Sequence, residues 1–318
     1  MIKAYVLGSI NKDFAYSVKR LPKIGETLKA ESLKTSTGGK GANQAVAIAR
    51  NDIETTLIAC VGEDDEDIIK ELDGYGLNTN FIKKIRNKPT GSATILLTES
   101  SNSIVTDCGA NSSVGILDIV DALEDAIQGD YFICQLEVNV EIVKFGLKLA
   151  KDKGLVTFLN PSPAHDLPTS MYKYVDYLIL NEVEVEQLSL EKPFTDIGIN
   201  NIYNFFTGYG VKNIIITLGS EGAWYLDGED IYTMPAKDTF VIDTTGAGDA
   251  FLGGFVAALA NDIPLQESIV YANYAAALAC QVEGALDSMP KKAYIMGLIN
   301  KDRMQDEKIE LARETLKH

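Results

Sequence analysis

The chain has 318 residues, of which 46% are apolar and 23% charged, and its 45 acidic and 29 basic side chains give a net charge of −16. This apolar fraction excludes a disordered chain, and the negative charge disfavours nucleic acid and anionic membranes as partners. No apolar run reaches the roughly 18 residues of a membrane span. Two histidines and four widely spaced cysteines make a zinc site hard to build. We therefore expect a soluble cytoplasmic protein whose cysteines are reduced and buried.

From the first residues onward, short apolar runs alternate with longer stretches of helical period. The predicted strands are 4–7, 56–61, 131–136, 155–159, 177–180 and 214–218. The predicted helices between them are 64–75, 116–127, 140–153 and 199–209. Strands of such continuous hydrophobicity are covered on both faces, and their alternation with helices predicts a parallel sheet with helices on both sides. Ligands of such sheets bind beyond the carboxyl ends of the strands.

Two early segments interrupt this alternation. Residues 12–37 have no long helical period, and residues 90–108 predict a hairpin around a turn at 99–102. We predict that both form a small separate β-sheet, a lid over the carboxyl edge of the main sheet. Because exposed strand edges need covering, a homodimer joined through the lids is expected. The last third is predicted to be helical at 246–260, 265–282 and 291–300.

Residues 243–251, with the sequence DTTGAGDAF, carry the sharpest chemical signal. Small residues at Gly246, Ala247 and Gly248 would expose three successive N–H groups at a helix N-terminus, which favours negative charge. A carboxylate that merely neighboured a bound phosphate would repel it. Asp249 is instead suited to take a proton from a hydroxyl that attacks a phosphoryl group. A glycine-rich turn with Asp249 as a helix cap stays open as the alternative.

Two common nucleotide motifs are absent. Phe251 stands where the dinucleotide fingerprint requires a third small residue, and no Walker A sequence occurs.

A second glycine cluster, TGGKGANQAVA, spans residues 37–47. Its glycines allow the backbone to approach a ligand closely, and Lys40 and Asn43 could donate hydrogen bonds to hydroxyls. A glycine-rich turn before a packed helix would have the same pattern. Upstream, Asn11 and Asp13 follow the first strand and would present polar groups at the carboxyl edge of the sheet.

Together these segments resemble the ribokinase, or PfkB, family of carbohydrate kinases. Its two signatures are similar to residues 38–47 and 243–251, and NPSPA at 160–164, NEVE at 181–184 and TLGSEG at 217–222 follow in the family's order. The resemblance covers about residues 3–300. It implies a single kinase domain over residues 1–318, a three-layer α/β/α fold with a mostly parallel central sheet and a β-sheet lid formed by about 12–37 and 90–108.

The resemblance implies an ATP-dependent sugar kinase. The sequences at 8–11 and 39–47 favour transfer to the 5-hydroxyl of D-ribose. Deoxyribokinase, fructokinase, adenosine kinase and a non-catalytic sugar or nucleotide sensor remain as alternatives.

The same resemblance implies a role for each matching residue. Asp249 is the expected general base, and the anion hole is Gly246, Ala247 and Gly248. The expected sugar contacts are Asn11, Asp13, Gly39, Lys40, Asn43, Glu137 and Asp249. Glu137 could equally be a surface carboxylate.

For ATP, the expected contacts are Thr217, Gly219, Ser220, Gly222, Gly248 and Asn273. Asn273 departs from the family, which often has histidine at that position. The pair Asn181 and Glu184 is expected to organise phosphate and Mg²⁺. The expected K⁺ ligands are Asp243, Thr245, Ala279, Val282, Gly284 and Ser288.

Overall fold

The structure, a computed structural model, describes residues 1–98, 102–165, 167–228 and 230–315. Its strands are β1 (Lys3–Leu7), β2 (Asn11–Ser17), β3 (Ser32–Gly38), β4 (Glu54–Gly62), β5 (Ile82–Ile85), β6 (Gly91–Leu97), β7 (Asn102–Asp107), β8 (Tyr131–Cys134), β9 (Val156–Leu159), β10 (Tyr177–Asn181), β11 (Asn213–Thr217), β12 (Ala223–Asp227) and β13 (Asp230–Met234). Its helices are α1 (Lys40–Ala49), α2 (Glu66–Gly74), α3 (Ile116–Ala122), α4 (Val140–Asp152), α5 (Glu182–Ser189), α6 (Asp196–Gly208), α7 (Ala247–Ala260), α8 (Leu265–Ala279) and α9 (Lys292–Thr315).

Within the described residues, nine strands form the main sheet in the order β13-β12-β11-β10-β9-β8-β1-β4-β5. Neighbours from β11 to β5 are parallel, and β12 and β13 form an antiparallel hairpin at one edge. Side chains of β1 alternate between two apolar clusters: Ala4 and Val6 pack with α1 and α7, whereas Tyr5 and Leu7 pack with α4. The predicted three-layer α/β/α class is confirmed.

A second, small sheet has the strand order β3-β2-β6-β7. Its β2 and β3 come from the first irregular segment, and β6 and β7 form the antiparallel hairpin that the sequence predicts. The two halves join through parallel pairing of β2 with β6. Residues 99–101 of the predicted hairpin turn lie outside the described residues.

Several predicted boundaries are wrong. Helix α3 ends at Ala122 rather than at 127. A helix that continued to 127 would have the acidic Glu124 and Asp125 in its last turn, where negative charge is unfavourable. Helix α8 ends at Ala279, and α9 runs 15 residues beyond its predicted end at 300, to Thr315. The sequence analysis did not identify β5, α5 or the β12–β13 hairpin.

The cysteines are only partly buried as expected. Cys60 and Cys134 are buried as predicted, but Cys108 is exposed, so the expectation of burial is wrong for that thiol.

Among the residues that the structure describes, no helix combines the length and the apolar character needed to cross a membrane.

Helices α1 and α7 cross at very close range. A Cβ atom built on Gly253 of α7 would lie 2.3 Å from the Cβ of Ala47 in α1. Real carbon atoms do not approach this closely, so glycine at 253 is what permits the crossing. The contact lies one turn into each helix from the residues of the site described below.

We expect Gly253→Ala to destabilise the protein by about 1–3 kcal/mol, because the added methyl group forces the two helices apart. The measurement is the free energy of unfolding from urea titration. Gly297→Ala is the matched control. Gly297 is an exposed position inside α9 with no atom within 4 Å of an added Cβ, and there alanine should stabilise by up to about 1 kcal/mol. Equal stabilities for the two variants would contradict the close-crossing argument.

Candidate active site

The candidate site lies at one edge of the main sheet, where five neighbouring parallel strands end. Residues that follow these strands carry polar side chains: Asn11 after β1, Glu137 after β8, Asn160 after β9, Glu184 after β10 and Ser220 after β11. In an open α/β sheet this carboxyl edge is where ligands bind. The parallel register therefore brings together polar groups that lie far apart in the chain.

Asp249 is at the centre of this edge, in the first turn of α7, and only 6% of it is exposed. The Nδ2 of Asn43 donates to Asp249 Oδ2 at 2.9 Å, and the Nε2 of Gln44 donates to Oδ1 at 2.9 Å. Each carboxylate oxygen thus accepts one amide hydrogen from α1. The N-cap of α7 is Gly246, with no side-chain cap bond. The alternative that Asp249 caps its own helix therefore does not describe the structure.

The loop before α7 has the shape expected of an anion-binding turn. Gly246 has φ +76°, in the left-handed region that favours glycine. The N–H of Ala247 donates to the Thr244 carbonyl at 3.2 Å and closes the turn. Of the three N–H groups that the sequence analysis assigns to an anion hole, that of Ala247 therefore already has a partner, whereas Gly246 and Gly248 line a cavity beside Asp249.

Lys40, the first residue of α1, lies among carboxylates. Its backbone N–H donates to Glu137 Oε2 at 3.0 Å, and the Ser9 hydroxyl donates to the same oxygen. Glu137 is half-buried rather than a surface carboxylate. Burial alone would lower the pKa of the Lys40 ammonium. The carboxylates of Asp249, Glu137 and Glu184 outweigh burial and raise that pKa overall, so the ammonium stays charged.

Asn11 and Asp13 complete this side of the site from β2. The Oδ1 of Asn11 accepts from Nδ2 of Asn111 at 2.9 Å. Burial, and then the charges of Glu137 and Asp249, raise the pKa of the Asp13 carboxyl to about 7. Gly39 has φ +95°, and a Cβ there would lie 2.9 Å from the Asn11 backbone nitrogen. The chain can therefore pass this close to Asn11 only with glycine at 39.

Two adjacent cavities open beside Asp249. The larger has a volume of about 350 Å³, and its walls include all the predicted ATP contacts: Thr217, Gly219, Ser220, Gly222, Gly248 and Asn273. The smaller has a volume of about 260 Å³ and is lined by Lys40, Asn181, Glu184, Gly246, Gly248 and Asp249, among others. Thr217, Thr244 and Gly248 line both. The cavities therefore meet at the N-terminus of α7.

Three predicted contacts of these cavities make hydrogen bonds within the protein. Asn181 Oδ1 accepts from the Glu184 N–H, and Glu184 Oε2 accepts from the Asn181 N–H, both at 2.9 Å, which forms a capping box on α5. Asn273 is 5% exposed, and its Nδ2 donates to the carbonyls of Met234 and Pro235 at 3.0 Å. Asn273 thereby holds the loop that forms the opposite wall of the larger cavity.

The residues predicted to hold K⁺ join two loops. Asp243 Oδ1 accepts from the Thr245 N–H and Oδ2 from the Gly284 N–H, each at 2.9 Å. Burial alone would raise the pKa of the Asp243 carboxyl, but these two N–H donors lower it overall. The Ala279 carbonyl accepts from the Val282 N–H at 3.1 Å.

The last predicted K⁺ ligand, Ser288, is buried, and its hydroxyl donates to the Ala285 carbonyl at 2.7 Å. The segment 279–288 is thus tied to the loop that leads into α7 chiefly through Asp243.

Four amides near the site are not predicted from the sequence: Gln44, Asn111 and Gln135, which are buried, and Asn160, which is half-buried. Gln135 directly follows the apolar strand β8, and a polar residue in that position was the available signal. Asn111 lies in a 3-10 turn at Gly109–Ser113, one hundred residues from its partner Asn11. No local pattern indicates that contact.

We expect Asp13→Asn to stabilise the unliganded protein at pH 8 by about 1–4 kcal/mol. The unfolded chain ionises Asp13 near pH 4, whereas the native state keeps its proton until about pH 7. The native carboxyl therefore costs no stability below pH 4, and the cost grows as pH rises to 7 and is constant above it. Unfolding free energies from pH 4 to 8 test this. Asp67→Asn, at a fully exposed side chain, should change stability by less than about 0.5 kcal/mol, and a gain at Asp13 that did not grow with pH would contradict the buried-charge argument.

Other proteins are similar to this chain in sequence and in fold. Residues 1–292 match the pfkB family carbohydrate kinase profile. The chain is 37% identical over 315 residues to ribokinase of Schizosaccharomyces pombe, covering 94% of this chain and 98% of that one. It is 36% identical over 254 residues to deoxyribokinase of Salmonella typhi, covering 79% and 83%.

Two further relatives differ in how much of their length this chain covers. The chain is 36% identical to the bifunctional ribokinase/ribose-5-phosphate isomerase A of Fructilactobacillus sanfranciscensis, but it spans only 58% of that protein's length. The structure of Arabidopsis thaliana ribokinase complexed with ribose and ATP has a TM-score of 0.85 and 30% identity, covering 94% of this chain and 99% of that one. The family match over residues 1–292 and these relatives show that the chain belongs to the pfkB family of carbohydrate kinases.

Proposed function

We propose that this chain is a ribokinase, which transfers a phosphoryl group from ATP to the 5-hydroxyl of D-ribose. The observation that carries the proposal is the buried Asp249 carboxylate at the N-terminus of α7, where hydroxyl-binding side chains and two joined cavities meet. Relatives named ribokinase align with nearly the whole chain, and a similar structure is complexed with ribose and ATP. Both findings support ribose and ATP as the substrates.

In the proposed mechanism, Asp249 is the general base. Asn11, Asp13, Lys40, Asn43 and Glu137 bind the sugar hydroxyls, and Gly39 lets the backbone approach the ring. Asp249 then takes the proton of the 5-hydroxyl group. The hydroxyl oxygen attacks the γ-phosphorus of ATP, and ADP leaves. The N-terminus of α7, with the N–H groups of Gly246 and Gly248, meets the charge that develops on the transferring phosphoryl group.

We place ATP in the larger cavity, with its phosphates directed to Gly248, where the two cavities meet. Asn181 and Glu184 line the smaller cavity and would organise Mg²⁺ through water. Their oxygen and amide groups suit an ion that keeps several of its waters. Bound there, Mg²⁺ would supply positive charge to the ATP phosphates. Lys40, whose ammonium faces Glu184 and Asp249, adds a fixed positive charge in a chain whose net charge is negative.

We propose a K⁺ site beside the anion-binding loop, held by the six residues that the family resemblance assigns. Carbonyl and hydroxyl oxygens with one carboxylate, Asp243, suit a large monovalent ion better than Mg²⁺, which demands tight octahedral geometry. Asp243 already connects the loop before α7 to Gly284. K⁺ would strengthen that connection and so hold the anion-binding N–H groups in place.

We also propose that residues 1–318 form one kinase domain in which the small sheet acts as the lid and joins two protomers. Leu33 on β3 and Ile104 and Val105 on β7 are exposed apolar residues on the two edge strands of that sheet. A homodimer through these edges would cover them. Light scattering measures the mass in solution directly.

Deoxyribokinase is the second candidate because the Salmonella typhi enzyme of that name is nearly as similar as the ribokinases. A sensor that has lost catalysis is disfavoured because Asp249 and the glycine-rich turn before α7 are both intact.

We expect Asp249→Asn to lower kcat by at least about 100-fold while sugar binding is largely kept, because the amide has the carboxylate's size but cannot take the proton. ADP release in a coupled assay and sugar binding by calorimetry measure the two effects. Asp262→Asn, an exposed acid just beyond the C-terminal end of α7, is the matched control and should match the parent. Turnover of Asp249→Asn within a few-fold of the parent would remove the general-base assignment.

Among sugars, we expect D-ribose to have the highest kcat/KM, followed by 2-deoxyribose and then fructose. Asp13 can accept hydrogen bonds from two neighbouring hydroxyls. A buried site built to bind a hydroxyl rejects the analogue without it, because its polar groups are left unpaired. The measurement is kcat/KM over a panel that includes nucleosides. A higher value for 2-deoxyribose would favour deoxyribokinase, and the highest value for fructose or a nucleoside would leave only the family assignment.

Activation by K⁺ is the third expectation. At saturating Mg-ATP and ribose and matched ionic strength, the rate in K⁺ should exceed that in Na⁺ or Tris by about 2- to 100-fold, since loosening an anion hole costs less than deleting one of its donors. Asp243→Ala should lose this response. Equal rates in the three salts, or a full K⁺ response in Asp243→Ala, would remove the site.

A further inference from the structure

A row of buried side-chain amides lies behind Asp249, and the mechanism above does not use it. Gln44 and Gln135 are both fully buried. The Nε2 of Gln44 donates to Asp249 Oδ1 at 2.9 Å and to Asn160 Oδ1 at 3.2 Å, and its Oε1 accepts from Gln135 Nε2 at 2.5 Å. Gln44 therefore uses its donor group and its acceptor at once, and one of its bonds goes to the proposed base.

The orientation of the Gln44 amide is fixed by a group that can only accept. Asn160 Nδ2 donates to the backbone carbonyl of Ile179 at 3.0 Å, so Asn160 Oδ1 must face Gln44. The NH₂ group of Gln44 must then face Asn160 and Asp249, and its oxygen must face Gln135. The reversed amide would set oxygen against oxygen at both Asp249 and Asn160, which is repulsive in a buried site.

The two amides that hold Asp249 differ in what else they do. Asn43 donates to Oδ2, and its own Oδ1 has no hydrogen-bond partner among the described residues. That free acceptor belongs to a residue that we assign to sugar binding, so a sugar hydroxyl can donate to it. Gln44 has every polar atom engaged inside the protein, and its bond to Oδ1 does not depend on substrate.

We propose that Gln44 is a positioning residue for the base: it holds Oδ1 of Asp249 and so leaves Oδ2, on the Asn43 side, to receive the hydroxyl proton. Asn160 sets the orientation of Gln44, and Gln135 donates to the oxygen that faces it. This inference rests on the proposed function and adds to it a residue that touches neither the sugar nor ATP. The close crossing of α1 and α7 at Ala47 and Gly253 holds the donor and the base at this distance.

Two substitutions at Gln44 test this role. Gln44→Met keeps the volume but has no donor. We expect kcat to fall about 10- to 100-fold, because misplacing a catalytic group by about an ångström costs as much as 100-fold, while KM for ribose changes less than about threefold.

Gln44→Glu introduces a carboxyl group whose ability to donate depends on pH. A protonated glutamic acid can donate to Asp249 as glutamine does, but an ionised one cannot, and it repels the base. The ratio of variant to parent kcat should therefore fall between pH 6 and pH 9. If Gln44 only filled space, Gln44→Met would keep a parent-like kcat because its volume is the same.

Asn51→Leu is the matched control. Asn51 is a buried amide in the turn that follows α1, bonded to the Ala47 carbonyl and to the Tyr271 hydroxyl and remote from Asp249. We expect it to lower the thermal midpoint but to keep kcat within about twofold of the parent and to leave the pH profile unchanged. Should Gln44→Met fail to fold by circular dichroism, Gln44→Glu and Gln135→Met decide the question, the latter with a smaller loss in the same direction as Gln44→Met.

Parent-like kcat in folded Gln44→Met, or a pH-independent ratio in Gln44→Glu, would overturn the positioning role. An active parent enzyme would in that case leave the kinase assignment intact. A parent that phosphorylates no sugar would instead overturn the function on which this inference rests.

Discussion

The contact between α1 and α7 is the constraint on which the site depends. Each helix begins with a glycine-rich turn, and each carries part of the chemistry in its first turns: amide donors on α1 and the carboxylate on α7. A glutamine side chain reaches Asp249 at hydrogen-bond distance only because Gly253 and Ala47 let the two backbones meet. Gly253 weakens α7 as an isolated helix, but its missing side chain lets α1 bring its amide donors to Asp249.

Charge is the second constraint, since the site concentrates carboxylates in a chain that is already acidic. Burial, and then the charges of Glu137 and Asp249, raise the pKa of Asp13 to about 7. Such crowding costs stability in the unliganded protein, and it is tolerated where hydroxyl donors and cations will complete the site. Phosphate must then be attracted by local groups, the N-terminus of α7 and the Lys40 ammonium, because the net charge repels it.

Sequence reasoning reaches those parts of the molecule that local chemistry encodes. Continuous apolar runs predict the parallel strands. The two glycine clusters predict the N-termini of α1 and α7, and the second cluster contains Asp249. What escapes is contact between distant segments: the sequence shows that Gln44 is polar but not that it meets Gln135, 91 residues away. Helix ends escape as well. Helix α8 ends at Ala279, and the carbonyl of the next residue, Cys280, accepts from the N–H groups of Ile242 and Asp243 in the loop before α7, a contact between distant segments.

The small sheet contributes directly to the site, since Asn11 and Asp13 lie on β2, one of its strands, whereas Asp249 lies on α7 of the main body. Two contacts tie this sheet to α2 and its N-cap: the ion pair of Lys12 with Asp65, which also accepts from Thr90, and the bond from the Thr37 hydroxyl to Glu71 at 2.6 Å. Sugar contacts and base therefore adopt their relative positions only when the two sheets are held together. Lys12 and Thr37 bond to α2 and its N-cap and so help to hold the proposed sugar contacts on β2 beside the proposed base.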